Sequence, residues 1–363
     1  MSALKAELVQ LIREEGPLPI SRYMALCLGH PRHGYYMTRD PFGSAGDFTT
    51  APEISQMFGE LIGLWAAHVW QGMGAPSAVR LVELGPGRGT LMSDMLRVAK
   101  GLPGFRGAIE VHLVETSPVL RAAQAATLAG ARQPVWHDSI ATVLEGPVIV
   151  VANEFLDALP LDQFVMTEQG WRERMVGLDE AGELSFRLAG ADSGLTLRAP
   201  VGTVFEQPTI ALDIVAELSR HLAQAGGAAL FIDYGSSQSG YGDTLQAMRS
   251  HAFVDALAEP GDADLTVHVD FQRMAEAAPR AGAATHGPAT QADFLIGLGL
   301  AQRAQALSRN ATPRQAADIS AAFDRLTEPG ATGMGELFKV LALSHRDLPP
   351  LPGFDLHRLP DQR

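Results

Sequence analysis

The chain of 363 residues is 46% hydrophobic and 19% charged, which is typical of a folded globular protein with one large domain and insertions, or with two domains. Its net charge of −13 disfavours broad electrostatic binding of nucleic acid, and its single cysteine, Cys27, excludes an intramolecular disulfide and a multi-cysteine metal site. Because the sequence has no apolar run of about 18 residues, no secretory signal and several acids near its start, we expect a cytoplasmic protein without membrane insertion.

The first 76 residues are predicted to be mostly helical. Residues 4–15 have amphipathic spacing, Ser21 is a candidate cap for a helix over residues 22–28, and residues 55–70 form a long apolar-periodic helix. Residues 29–53, which lie between the last two of these helices, are rich in Gly, Pro, Tyr and Thr. So long an irregular stretch in a compact protein is often functional.

Strands and helices alternate from Ala78 onwards. Strands are predicted at 79–84, 109–115, 135–137, 148–152 and 228–234, with helices at 90–100, 118–128 and 212–225 and a helical turn at 140–144. This rhythm predicts an α/β fold whose core, residues 77–235, is a parallel, doubly wound sheet.

Other segments depart from this alternation. Residues 163–187 alternate polar and apolar side chains and indicate a β-meander, within an insertion at about 163–206. Residues 236–348 are predicted to be a second insertion and a helical, substrate-binding part, with a strand at 265–269 and helices over 291–343. The proline-containing tail, residues 349–363, is predicted to be irregular.

The glycine-rich turn after the first core strand predicts a cofactor site, because glycines let a ligand approach the backbone and the next helix supplies unpaired N–H groups. Gly85, Gly87 and Gly89 have the spacing G-x-G-x-G, which differs from the dinucleotide fingerprint G-x-G-x-x-G. Pro86 also removes an amide inside the turn. No GK[ST] follows, which excludes a nucleoside triphosphate loop.

The same turn resembles motif I of class I methyltransferases, E-x-G-x-G-x-G, which cradles the methionine part of S-adenosylmethionine. Glu83 would then lie near the amino group of this cofactor or its water shell, and Thr90 belongs to the same predicted site.

Polar side chains follow the next strands. Glu115 is placed to accept both ribose hydroxyls, with Ser117 beside it, and Asp138 with Ser139 is placed to meet the adenine amino group. Asn153 ends the fourth strand. Because open α/β sheets bind ligands at the carboxyl ends of their strands, we expect these residues to form one S-adenosylmethionine site.

Several longer blocks resemble the MidA-like methyltransferase family, whose mitochondrial members are assembly factors for respiratory complex I. The blocks stand in family order at residues 30–37, 46–60, 83–90, 153–160, 231–235 and 268–271. The family often has a second Phe where Leu156 stands, a change that should be tolerated.

This resemblance implies a Rossmann-like class I methyltransferase with a helical N-terminal segment and an insertion. It also implies dimethylation of protein arginine on a subunit of the NADH:quinone oxidoreductase.

Glu154 and Asp157 are the candidate catalytic residues. They lie three residues apart just after the fourth strand, beside the expected cofactor. Paired carboxylates can grip a guanidinium, localise its charge and accept the proton lost on methylation. The alternative for Asp157 is a cap of a helix or turn before Pro160.

Candidate substrate-binding residues come from three segments. Asp233 and Tyr234 end the fifth strand, where the alternative is a simple turn. His268 and Asp270 are expected on one face of a short strand, with His268 a candidate general base or a structural histidine. Tyr35 begins the aromatic segment that precedes the glycine-containing loop.

Residues 35–53 are expected to fold over the cofactor as a lid. Gly43 and Gly46 would supply hinges, and Asp47 and Thr49 could reach the cofactor. The alternative is an ordered surface loop.

No metal is expected. His30, His33, His112 and His137 give no set of ligands with zinc-like spacing.

Two other functions stay open at the level of the sequence: a non-catalytic chaperone that keeps the cofactor fold, and a small-molecule methyltransferase. A nucleic-acid methylase is disfavoured by the acidic charge and by Asn-Glu-Phe-Leu in place of an [ND]-P-P-[YF] motif. The expected partner is a protein substrate, and the sequence leaves a homodimer open.

Overall fold

The computed structural model describes residues 2–39 and 50–354. Its helices are α1 (Ala3–Glu15), α2 (Ile20–Gly29), α3 (Tyr35–Thr38), α4 (Ala51–Ile54), α5 (Gln56–Gly72), α6 (Thr90–Ala99), α7 (Pro103–Ala108), α8 (Pro118–Thr127), α9 (Thr209–Ala225), α10 (Phe271–Arg280), α11 (Gln291–Gly297), α12 (Leu300–Ser308), α13 (Pro313–Thr327) and α14 (Met334–Leu337), with a 3₁₀ turn at Ile140–Thr142. Its strands are β1 (Leu18–Pro19), β2 (Val79–Leu84), β3 (Ile109–Val114), β4 (Val135–His137), β5 (Val148–Asn153), β6 (Asp162–Thr167), β7 (Gly170–Leu178), β8 (Leu184–Leu188), β9 (Val204–Gln207), β10 (Gly227–Ser236), β11 (Gln246–Arg249), β12 (Ala252–Val254), β13 (Asp264–Thr266), β14 (Val269–Asp270), β15 (Ala284–Thr290) and β16 (Phe338–Ser344). None of these helices is both long and apolar enough to cross a membrane.

The central sheet has the strand order β4-β3-β2-β5-β10-β16-β15. The first five strands in this order run parallel, β16 runs antiparallel to β10, and β15 runs antiparallel to β16. The chain leaves β2 toward β3 on one side and later returns to β5 on the other, so β2 and β5 enclose the point where the strand order reverses. Ligands of doubly wound sheets bind at this point. The predicted α/β, doubly wound, mostly parallel fold is confirmed.

Burial explains why the core strands read as continuous apolar runs. All six residues of β5 are buried, because helices cover both faces of the sheet. One face packs against α5 and α6, and the other against α9 and α10. The sheet therefore fixes the loops at its carboxyl edge on a rigid support.

The prediction of helices throughout residues 291–343 is wrong at its end. The last helix stops at Leu337, and Phe338–Ser344 forms β16, which pairs with β10 along seven residues. A short apolar run has no periodicity that separates a buried strand from a buried helix. The prediction also lacks β15, the strand at Ala284–Thr290.

The antiparallel strands predicted at residues 163–187 are present as β6, β7 and β8, and β9 extends their sheet. β1 joins the same sheet through β7, so the N-terminal segment is tied to this insertion. The predicted strand at residues 265–269 is instead two strands: β13 belongs to a small sheet with β11, and β14 pairs with β10.

Leu341 lies at the centre of β16 and is fully buried. We expect Leu341→Ala to lower the free energy of unfolding by about 2–5 kcal/mol, because the truncated side chain leaves a cavity in a packed core. Urea denaturation measures the change. The matched control is Phe253→Ala on the exposed strand β12, where 71% of the side chain is accessible and a change within about 0.5 kcal/mol is expected. Equal losses in both variants would contradict the position of β16 inside the sheet.

Candidate functional site

The glycine turn between β2 and α6 leaves room for a ligand at the backbone. Gly85, Gly87 and Gly89 have φ values of +61°, +50° and +82°, which residues with a Cβ rarely adopt. A Cβ on Gly85 would lie 2.8 Å from the ring of Phe155. Helix α6 begins at Thr90, so the unpaired N–H groups of its first turn lie next to the glycine turn.

A cavity of about 580 Å³ lies against this turn, between α2 and α9. Its volume is in the range of small-molecule sites. The predicted site residues that line it are Gly85, Gly87, Glu115, Asp138, Ser139 and Glu154. The sequence did not reveal its apolar wall, because apolar residues that face a ligand look like ordinary core residues. The wall consists of Ala25, Leu28, Met37, Leu120, Ile140, Phe155, Leu159 and Ile214.

A second recess of about 40 Å³ adjoins the cavity and shares Gly85, Gly87 and Glu154 with it. The predicted residues that reach only this recess are Glu83, Pro86, Thr90 and Asn153. Its outer wall is α4, where Glu53 accepts a hydrogen bond of 2.6 Å from the hydroxyl of Thr90. Helix α4 therefore closes the recess against the glycine turn.

Two buried oxygen atoms beside the recess have no hydrogen-bond partner among the described residues: Oε2 of Glu83 and Oδ1 of Asn153. Burial raises the pKa of Glu83 well above its usual value, and a hydrogen bond from the backbone of Met92 opposes this. Buried acceptors are normally paired. The two atoms therefore fit a ligand with several N–H donors, such as the ammonium group of an amino acid.

Glu115 follows β3 and is held at both oxygens. Oε1 accepts from the N–H of Ser117 at 2.8 Å, and Oε2 accepts from the side chain of Gln124 at 3.2 Å. Burial raises its pKa, and these hydrogen bonds lower it. Each oxygen keeps a lone pair, so the carboxylate can still accept from a diol at the cavity wall.

Ser117 does not line the cavity or the recess. Its fully buried hydroxyl donates to the carbonyl of Tyr36 at 2.6 Å and accepts from the N–H of Leu120 at 3.3 Å. It therefore caps α8 and attaches the N-terminal segment. The expected direct contact of Ser117 with a cofactor is corrected to this supporting role.

Asp138 and Ser139 follow β4. Asp138 is exposed and pairs with Arg121 at 2.6 Å, so one of its oxygens is already engaged. The hydroxyl of Ser139 accepts from the N–H of Ala141 and caps the 3₁₀ turn.

Glu154 lines both the cavity and the recess, and its backbone has a φ of +51°, a costly conformation for a residue with a side chain. Its Oε1 accepts from Nδ2 of Asn153 at 2.9 Å and from the N–H of Ala51 at 3.3 Å. Burial, followed by the nearby charge of Asp157, raises the pKa of Glu154 to about 7. This carboxyl can therefore take up or release a proton near neutral pH.

Asp157 is buried behind Glu154 and lines neither space. Its Oδ1 has no partner within the described part of the chain. Burial raises its pKa to about 6, and a hydrogen bond from Tyr234 opposes the shift. Tyr234 also contacts Thr266. Asp157 and Tyr234, both predicted site residues, are thus brought together with Glu154.

Asp233 holds the turn that carries Glu154. Its Oδ2 accepts from the N–H groups of Phe155, Leu156 and Asp157 at 3.1, 2.9 and 3.2 Å. Its Oδ1 accepts from the N–H of Tyr234 at 2.9 Å. Because both oxygens are engaged with the backbone and the residue is 1% exposed, Asp233 supports the site from below, and a substrate contact stays a prediction.

Tyr35 is fully buried in the core beneath α2 and does not line the cavity. The neighbouring Tyr36 does, and its hydroxyl donates to both oxygens of buried Asp264 at 2.9 and 3.0 Å. The expected substrate contact of Tyr35 is corrected accordingly. Adjacent tyrosines point in different directions from one helix, and the sequence does not say which one is buried.

His268 and Asp270 do not share a strand. His268 is exposed between β13 and β14 and contacts the ring of Tyr234 edge-on, with centroids 5.4 Å apart. Asp270 caps α10 and pairs with Arg273 at 3.2 Å. The expectation that both lie on one strand is wrong, because β14 begins at Val269, after His268. Asp270 has the contacts of a helix cap.

Asp47 and Thr49, predicted to reach the cofactor, and the hinges Gly43 and Gly46 lie outside the described residues. The lid hypothesis stays a prediction.

Three side chains with ligand-type atoms meet at α1. Glu7 lies 3.2 Å from Nε2 of His30 and 3.2 Å from Nε2 of His33, and Arg32 donates to the same carboxylate at 2.9 Å. Nδ1 of His30 accepts from the N–H of Arg32, so Nε2 of the neutral ring carries the proton that faces Glu7. These contacts describe a hydrogen-bonded ion cluster that ties α1 to the end of α2. The absence of a metal stays a prediction.

A family model described as "Putative S-adenosyl-L-methionine-dependent methyltransferase" matches residues 61–289. This match covers more than half of the chain, including the glycine turn, Glu154 and Asp233.

Known relatives are similar along most of their length. The "Protein arginine methyltransferase NDUFAF7, mitochondrial" of Danio rerio is 39% identical over 356 residues, which cover 90% of this chain and 83% of the relative. The Homo sapiens protein of that name is 36% identical over 365 residues, with 93% and 82% covered. A crystal structure of a bacterial superfamily member from Burkholderia thailandensis, bound to S-adenosyl-homocysteine, has 30% identity and a TM-score of 0.82, and covers 97% of this chain and 94% of that chain. The predicted cofactor, S-adenosylmethionine, is confirmed.

Gly85→Ala should weaken the binding of S-adenosyl-homocysteine at least about tenfold in calorimetry, which is about 1.4 kcal/mol. The reason is that the new Cβ would combine a positive φ with a 2.8 Å contact to Phe155. Gly130→Ala is the matched control, since Gly130 has a φ of +83° and nothing within 4 Å of the added Cβ. Unchanged affinity in Gly85→Ala would contradict the role of the turn.

Glu154→Gln should stabilise the free protein at high pH. Because folding raises the pKa of Glu154, this carboxyl stabilises the folded state at pH values below its pKa in the unfolded chain. That contribution to the free energy of unfolding is lost as the pH rises through about 7. The gain in the variant should therefore be absent below about pH 4 and grow to at most about 3 kcal/mol above neutrality, because a tenfold change in proton affinity is about 1.4 kcal/mol. Thermal melts across this pH range, with Glu180→Gln as an exposed control, measure it. A gain that does not vary with pH would speak against a neutralised Glu154.

Proposed function

This chain belongs to the family of S-adenosylmethionine-dependent methyltransferases that matches residues 61–289, and from that premise we propose that it methylates arginine side chains of a protein. The relatives named protein arginine methyltransferases support the acceptor. The proposed substrate is a subunit of the NADH:quinone oxidoreductase, supported by the resemblance of the sequence blocks to the MidA-like family. The proposed location is the cytoplasm.

The observation that carries the proposal is a cluster of three buried acids next to the glycine turn. Glu154, Asp157 and Asp233 each have a pKa raised by burial, and their charges act on one another. Among the described residues, no arginine, lysine or histidine lies among the groups that shift these pKa values. Buried charges are normally paired. A guanidinium entering beside Glu154 would supply a positive charge to this cluster.

Bound S-adenosylmethionine supplies an electrophilic methyl group. The residues that would hold it are the glycine turn, Glu83 and Asn153 at the recess, and Glu115 at the cavity, since their free acceptors and open backbone fit its ammonium, ribose and methionine parts. The fit rests on Oε2 of Glu83 and Oδ1 of Asn153, which have no hydrogen-bond partner within the part of the chain that the structure describes.

Glu154 orients the guanidinium and accepts its proton. A carboxyl with a pKa of about 7 is ionised in enough molecules at neutral pH to bind a cation, and it is basic enough to take up the proton released as the new bond forms. Asp157, hydrogen-bonded to Tyr234, stabilises the charge from behind. The turn held by Asp233 fixes Glu154 relative to the glycine turn, which aligns the acceptor with the methyl group.

Glu154→Gln should slow arginine methylation at least about 100-fold, the usual size of a lost general base, while S-adenosyl-homocysteine still binds. Asp157→Asn should cause a smaller loss. The assay incubates each protein with S-adenosylmethionine and purified subunits of the oxidoreductase, and mass spectrometry then quantifies methylated arginine.

The controls separate the remaining functions. Glu180→Gln, an exposed change, should methylate at the wild-type rate. An unimpaired Glu154→Gln variant would show that Glu154 is not the base. A wild-type protein that binds S-adenosyl-homocysteine but methylates no arginine in any subunit would instead favour a cofactor-binding chaperone.

A further inference from the structure

Gln124 is a fully buried polar residue of α8. It lines neither the cavity nor the recess, and it is not among the site residues predicted from the sequence. Its Nε2 donates to the carbonyl of Gly87 at 2.8 Å and to Oε2 of Glu115 at 3.2 Å. Its Oε1 accepts from Nε1 of Trp136 at 2.8 Å. One side-chain amide therefore connects the glycine turn, the end of β3 and strand β4.

Trp136 fixes the orientation of this amide. An indole N–H only donates, so the atom that faces it must be the carbonyl oxygen of Gln124. Both hydrogens of Nε2 are then directed at Gly87 and Glu115, one to each. A flipped amide would oppose N–H to N–H at Trp136 and oxygen to oxygen at the other two partners.

The packing leaves this amide little freedom. A Cβ on Gly89 would lie 3.4 Å from the Cα of Gln124, so α8 passes directly beneath the glycine turn. The other contacts of Glu115 fix different atoms: Ser117 holds Oε1, and Nε of Arg121 donates to the backbone carbonyl at 2.7 Å. Among the described residues, only Gln124 hydrogen-bonds both the carboxylate and the turn.

We propose that Gln124 is a positioning residue for the cofactor, which holds the carboxylate of Glu115 toward the ribose hydroxyls and locks it to the glycine turn. The inference rests on the proposed contact of Glu115 with the ribose, and it is independent of the methyl acceptor. Its hydrogen bond also lowers the pKa of Glu115 against the effect of burial, which favours the ionised form that accepts both hydroxyls.

The test compares two probes, S-adenosyl-homocysteine and its 2′-deoxyribose analogue, by calorimetry. Wild-type protein should prefer the hydroxylated probe about tenfold or more, since the analogue loses one charge-assisted hydrogen bond. Gln124→Met keeps the volume of the side chain and removes both donors. It should weaken S-adenosyl-homocysteine about tenfold but the analogue much less, so that the preference falls toward one.

Two further variants make the readout specific. Glu115→Gln should also abolish the preference, and adding Gln124→Met to it should change the affinity little, because the two residues act on the same contact. If Gln124→Met does not fold, Trp136→Phe takes its place. This change only frees the amide to rotate, so it should give an intermediate loss of affinity for S-adenosyl-homocysteine.

Equal weakening of both probes by Gln124→Met, or full additivity with Glu115→Gln, would show a purely structural role and overturn the proposal. A preference that survives Glu115→Gln would overturn it as well, by removing the ribose contact. Neither outcome depends on whether arginine is methylated, so failure of the proposed function is seen separately.

Discussion

The carboxylate of Asp233 is the interaction on which the reactive edge of the sheet depends. By accepting from three successive N–H groups after β5, it turns the chain sharply enough to set Glu154 at a positive φ. A free loop would relax from that conformation. The supporting carboxylate is itself buried beside two other acids, which destabilises the folded state. Strain and like charges of this kind are typical of sites selected for function over stability.

The sheet makes this arrangement reproducible. Strands β2 and β5 are hydrogen-bonded neighbours whose last pair joins Leu84 to Ala152, so the glycine turn and the acidic turn start side by side. Helix α4 then closes the space between them through Glu53 and through the N–H of Ala51. Glu154 consequently lines the recess and is also a member of the acidic cluster.

Much of this could be predicted from the sequence, and the reasons are local. The bounds of β2 and β4 match the prediction because glycine, proline and acidic residues interrupt the apolar runs there. The unusual glycine spacing identified the turn. Glu154 lines both the cavity and the recess, as its place directly after β5 suggested.

Features that depend on tertiary contacts could not be predicted. Nothing in the residues separates buried Tyr35 from Tyr36 at the cavity, and nothing marks Gln124 as a link between two cofactor segments. The apolar stretch of β16 carries no period that distinguishes strand from helix, so its pairing with β10 decides its conformation. Asp270 is predicted from the sequence to bind substrate, and it is the cap of α10 in the structure.

The acidic cluster has a consequence for the energetics of binding. Because burial raises the pKa of Glu154 to about 7 and that of Asp157 to about 6, part of the population carries a proton on this cluster at neutral pH. A cation that enters must expel those protons, so its uptake is coupled to proton release into the buffer. The measured enthalpy of association will then include the ionisation heat of that buffer, and the apparent affinity will increase as the medium becomes more alkaline.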